Sequence, residues 1–210
     1  MSTEYFTRRQ DKLRTVLAEK NVDGMLVTNL THIRYLCGFT GSSGSLLMGP
    51  DSCEFITDGR YVFQSRNEVK GANITIDSIP HLHVIKNNNF LSRGLKIGFA
   101  GECVSHQMFS DISTILPHVT WESLVGCVET LAMEKDHKEI EAIKTAVEIT
   151  DTAFAEVFPM VKIGVEEQTI SNQLSFLYRK YGDSDADAFA PIVGSGPHSA
   201  MPHARPTDRK

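Results

Sequence analysis

A chain of 210 residues, 41% hydrophobic and 22% charged, can hold one large domain or two small ones around a core that needs no disulfides. A formal net charge of −5 argues against the basic footprint of a nucleic-acid binder. No apolar run nears the roughly 18 residues of a membrane span, and the opening MSTEYFTRRQDKLR lacks the apolar stretch of a signal peptide, so neither is expected. Cys37, Cys53, Cys103 and Cys127 are scattered with no C-x-x-C pair. That excludes zinc-ribbon and thioredoxin chemistry and points to small buried thiols in a reduced, cytoplasmic protein.

Residues 4–20 predict a helix with Tyr5, Phe6, Leu13, Val16 and Leu17 on one side. VDGMLVT then gives a turn and a strand over Met25–Thr28. NLTHIRYLCG reads as a helix capped by Asn29 or Thr31 and stopped by Gly38, followed by the loop GFTGSSG. SLLMGPDSCEFIT gives two strands around a Gly-Pro-Asp turn, and DGRYVFQSRNEV a helix entered through Asp-Gly. Strands are expected in ANITIDSI, LKIGFAGE and HVTWESL, with SHQMFSDISTILP a helix ended by Pro117. Strands alternating with helices up to about residue 127 define an α/β domain with a mostly parallel or mixed sheet.

The pattern then changes. We read 128–135 as a linker and 136–210 as a second domain. Ile140, Ile143, Val147, Thr150, Phe154, Val157 and Val161 recur at steps of three and four, an apolar stripe on a long helix. Asp136 and Glu139 have capping-box spacing, and Pro159 should end or bend this helix. A second helix over about 166–181 turns Ile170, Leu174, Leu177 and Tyr181 inward and stops at Gly182. AFAPIVGSG predicts a strand entering a Gly-rich loop.

Few residues in this pattern carry chemistry by spacing alone. GFTGSSG lacks the lysine of a phosphate loop, and Ser42, Ser43 and Ser45 have no evident base. DSDAD has EF-hand offsets at Asp183, Asp185 and Asp187 but not the glycine or distal glutamate. His81 and His83 would share one face of a strand, with no further ligand nearby. His198 and His203 stand among prolines and glycines, five apart, a spacing that does not align ligands on a helix. A loop site using one of them stays open, as does a plain loop.

Longer motifs carry a resemblance. IVGSGPHSAMPHARPTD resembles the Ser-Gly turn and S-A-L-P-H stretch of the Xaa-Pro aminopeptidase and prolidase group, with Met201 for the usual Leu. EKDHKEIEAIKTAVEITDTAF and VKIGVEEQTIS are similar to the group's preceding helix and turn, with Lys144 for Arg, Ile163 for Pro and Glu167 at the acid position. IRYLCGFTGSSGSLLMGPDSCEFITDGRY resembles its creatinase-type N-terminal domain.

The resemblance implies a ribonuclease-H-like α/β creatinase N-terminal domain over 1–127, then an incomplete α+β pita-bread peptidase domain over 136–210. It implies a cytoplasmic homodimer acting on proline-containing peptides, cleaving the bond before proline with two divalent ions (Mn, Co or Zn). His203 falls at the family's catalytic histidine, which contacts substrate and is no metal ligand; His198 falls at a variable position. The family's ligands, two Asp, one His and two Glu, lie beyond the last motif matched here. This chain is therefore expected to hold no metal tightly and to be inactive alone. A non-catalytic oligomerisation or binding module and an Xaa-Pro dipeptidase fragment are the alternatives.

Overall fold

The computed structural model describes residues 3–182 and 186–210. It divides into two compact units, 1–134 and 135–210.

Unit 1 opens with α1 (Thr3–Glu19), β1 (Gly24–Val27) and α2 (Leu30–Cys37). Asn29 is the α2 cap: its side-chain oxygen accepts from Thr31 N at 2.9 Å and His32 N at 3.2 Å. Gly38 ends the helix at φ 88°, donating its N–H to Arg34 O. Then come β2 (Ser45–Met48) and β3 (Cys53–Thr57), a short 3₁₀ turn and α3 (Val62–Glu68). Asp58 starts that turn by accepting from Arg60 N. β4 (Asn73–Ile76), α4 (His81–Asn87), β5 (Lys96–Ala100), α5 (His106–Ile115) and β6 (Thr120–Leu124) follow.

The six strands form one mixed sheet in the order β4-β3-β2-β1-β5-β6. β2 pairs antiparallel with both β1 and β3, and the other pairings are parallel. Alternation along each strand feeds two cores. Met25, Val27, Leu46, Met48 and Phe55 pack with α1 and α2 residues such as Leu13, Leu17, Ile33 and Leu36. Leu26, Leu47, Ile56 and Ile97 pack with Val84 and Ile85 of α4 and Ile112 of α5. Helices on both faces explain why β1 and β2 read as unbroken apolar runs.

Two expectations change here. Residues 128–133, read as linker, belong to α6 (Cys127–Met133), because Cys127 and Val128 complete the first core. His81 and His83 stand on α4 and not on a strand, because Pro80 opens a helix whose Val84 and Ile85 enter the second core. Two residues apart on a helix, they point to different sides.

Unit 2 contains α7 (His137–Val157), a 3₁₀ turn at Phe158–Met160 and α8 (Glu167–Gly182). The capping box is present: Asp136 accepts from Lys138 N and Glu139 N, and Asp136 N donates to Glu139 Oε2. Its core is small, with Ala153, Val157, Ile170 and Leu177 buried. Of the predicted α7 stripe, Val157 is buried, while Ile143, Val147 and Phe154 stay 50%, 53% and 56% exposed. The strand expected in AFAPIV is irregular backbone. A strand needs a hydrogen-bonded neighbour, and unit 2 has no other strand among the described residues. Asp183 and Asp185 lie outside the described residues. Asp187 accepts from Ser175 Oγ at 2.6 Å and pairs with Arg179, a structural tie.

Candidate functional site

The histidine-bearing loop wraps the start of α8. Gly164, at φ 92°, turns the chain into that helix. The first amides of a helix lack partners in the helix itself. Here the chain's last residues supply them: Glu167 N donates to Arg209 O and Gln168 N to Thr207 O, both at 3.0 Å.

The Glu167 carboxylate sits inside this wrap, its residue 2% exposed. Oε1 accepts from Ser195 N at 2.7 Å and Ser195 Oγ at 2.8 Å. Oε2 accepts from Thr207 Oγ1 at 2.9 Å, Thr207 N at 3.1 Å and His198 Nδ1 at 3.2 Å. Burial alone would push this carboxyl's pKa up. The hydrogen bonds from Ser195, His198 and Thr207 overcome it and hold the pKa down at about 2. Arg209 closes the far side, its Nε donating to Ser195 O at 3.1 Å.

The two histidines therefore separate. His198, in the 3₁₀ turn Gly196–Ala200, is committed to Glu167. His203 lies exposed in the turn after Met201, while its neighbour Ala204 is buried. Its imidazole is open to a solute, and Glu167 braces both flanks of the loop that carries it. Sequence reading placed Glu167 at a motif's acid position without a role; its bracing depends on residues 28 to 40 positions away.

Unit 1 holds a second polar group of residues. Ser45 Oγ lies 2.9 Å from His81 Nδ1, so one serine does have an imidazole partner. Ser45 is buried, however, and the pair ties β2 to α4. Burial lowers the His81 pKa, against the opposing field of Asp58. Arg60 grips Asp58 through Nε and Nη2, both at 2.9 Å, and Ser42 Oγ meets Tyr61 OH at 2.6 Å. Gly41 of GFTGSSG packs against Phe39 and Tyr61, as a turn between elements would. Cys37, Cys53 and Cys127 are buried and Cys103 half-buried, all unpaired. Burial pushes the Cys37 thiol up to about 11 and Cys53 to about 12.

No three His, Cys, Asp or Glu side chains converge on a point among the described residues. The described residues by themselves thus offer no ligand set that fits a dinuclear centre. No helix among them is long and apolar enough to cross a membrane.

A mixed three-layer α/β unit followed by a helical unit with a histidine-bearing loop is an arrangement with close counterparts. An Xaa-Pro dipeptidase structure from Bacillus anthracis superposes with a TM-score of 0.89 at 32% identity, over 97% of this chain and 57% of that one. An X-Pro aminopeptidase from Thermotoga maritima gives 0.81 at 30% identity, over 91% and 56%. The uncharacterized peptidase YqhT of Bacillus subtilis is 33% identical over 200 residues, 95% of this chain and 56% of that protein. The chain thus spans a little over half the length of these relatives. The creatinase/prolidase N-terminal domain pattern matches residues 9–134, and that of metallopeptidase family M24 matches 141–210. The chain belongs to the creatinase/prolidase family of M24 metallopeptidases.

Proposed function

We propose that this chain is the creatinase-like domain and the opening of the peptidase domain of an Xaa-Pro aminopeptidase-type enzyme. The activity of the complete protein is hydrolysis of the peptide bond before proline. The observation that carries this is the order of the two family patterns, 9–134 then 141–210, along one chain. The boundary we favour lies at 134/135, where the units divide. His203 is the substrate-side group: an exposed imidazole on a braced loop can donate a hydrogen bond where charge develops on a scissile carbonyl. In a complete protein two divalent ions (Mn, Co or Zn) would supply the activated water. Free thiols in and against the first core of unit 1 suit a reducing, cytoplasmic setting, and a homodimer is the assembly we favour.

Metal analysis of the 210-residue chain after dialysis, paired with an Xaa-Pro peptide assay, tests the proposal. We expect no tightly held metal and no turnover. Two bound ions with turnover would show that these residues form a complete centre and overturn it. A second reading, a non-catalytic assembly module, draws on the exposed apolar residues of α7. A chain that is dimeric and stably folded, without affinity for proline peptides, would favour it.

A further inference from the structure

We propose that Glu167 is the positioning residue for the loop that presents His203, latching both ends of it through one buried carboxylate. This rests on the substrate-side reading of His203 given above.

Three observations carry the inference. Ser195 and Thr207 flank the loop on either side of His203, and each gives Glu167 both its backbone N–H and its hydroxyl. His198, inside the loop, adds a fifth donor, so the carboxylate is saturated. Glu167 is also the first residue of α8, whose Ile170 and Leu177 are buried in the unit 2 core. The latch is thereby fixed to the packed part of the unit and not to another loop.

The chemistry explains why a carboxylate is used. An ionised carboxylate only accepts, so it can gather five donors with no competing donor of its own. A glutamine has one accepting oxygen and an NH₂ that faces donors. It leaves at least one loop end unpaired in a buried place, a costly arrangement. The same reasoning fixes the His198 ring: opposite an acceptor, Nδ1 must carry a proton. The remaining imidazole, His203, makes no hydrogen bond among the described residues and is the one left for a solute.

Hydrogen–deuterium exchange on the 210-residue chain tests this. In the wild type, the Ser195 and Thr207 amides should exchange at least tenfold more slowly than the exposed amides of the loop. Glu167→Gln should erase that protection at one or both ends while amides in the interiors of α7 and α8 keep theirs. Ser195→Ala and Thr207→Val, which each remove one hydroxyl donor, should give graded losses; they serve if Glu167→Gln unfolds unit 2. Imidazole ¹⁵N shifts supply a readout that simple loosening would not mimic: His198 should carry its proton on Nδ1 in the wild type and lose that bias in Glu167→Gln. Unprotected Ser195 and Thr207 amides in the wild type would overturn the proposal. So would protection and a His198 signature that survive Glu167→Gln unchanged. No substrate enters the measurement, so the latch and the reading of His203 fail separately. His203→Ala should leave the protection at its wild-type level, whatever it does to peptide handling.

Discussion

A carboxylate almost fully out of water needs donors for its lone pairs, and Glu167 has five of them. Its pKa, held down at about 2, lies below the ordinary Glu value of 4.5. A carboxyl with a depressed folded pKa contributes stability that is complete above its unfolded pKa and is lost as pH falls through the folded one. The loop should therefore stay latched at neutral pH, weaken below about pH 4.5, and release as pH approaches 2. Amide NMR signals of Ser195 and Thr207 followed through an acid titration would show it; signals unchanged down to pH 2 would contradict it. The motif around Met201 and His203 identified the loop, because short linear patterns survive in a sequence. The partnership of Glu167 with Ser195 and Thr207 did not, because nothing local links an acid at a helix start to hydroxyls dozens of residues later. The same limit hid His81 from Ser45.

At the scale of elements, local rules held wherever the element supplies its own partners. The Asn29 cap, the Gly38 stop and the Asp136–Glu139 box are closed within a few residues, so their spacing suffices. Gly38 gives a direct test. Its φ of 88° is unfavourable for a residue with a Cβ, and that atom would lie 2.8 Å from Phe6 Cζ and 3.0 Å from Glu68 O. Left-handed backbone alone costs a side-chain-bearing residue about 1–2 kcal/mol, and the contacts add to it. Gly38→Ala should lower the denaturation midpoint of unit 1 by at least that equivalent; an unchanged midpoint would mean α2 ends differently. Local rules failed where the partner lies elsewhere. AFAPIV has the composition of a strand, yet among the described residues no strand of its unit stands beside it to hydrogen-bond. The His81–His83 segment alternates like a strand, but its Val84 and Ile85 fix a helix by entering the core. α6 was missed because seven residues carry too little periodicity to separate from a linker.

At the scale of the whole molecule, the two units differ in how much apolar surface they hide. Unit 1 buries eighteen core residues on one side of its sheet and ten on the other, whereas unit 2 buries four among the described residues. Fully burying a large apolar side chain is worth roughly 1.5–3 kcal/mol, so this gap outweighs anything caps or surface ion pairs can return. Unit 2 also leaves Ile140, Ile143, Val147, Phe154 and Phe158 between 43% and 63% exposed, so a large part of their apolar area adds nothing to its own folding. The latch around Glu167 orders one end of this unit but does not enlarge its core. Unfolding should consequently proceed in two steps, unit 2 first. The single tryptophan, Trp121, packs in the second core of unit 1, so its fluorescence reports that unit. Far-UV circular dichroism also registers α7 and α8, which at 21 and 16 residues stand with α1, at 17, as the three longest helices among the described residues. In urea the dichroism signal should begin to fall at concentrations where Trp121 fluorescence is still native. Limited trypsin digestion should cut first around Lys135 and Lys138 and leave an N-terminal fragment that resists further cleavage. Coincident optical transitions, or uniform resistance to trypsin along the chain, would mean that the exposed face of α7 is stabilised in solution and that the units fold as one.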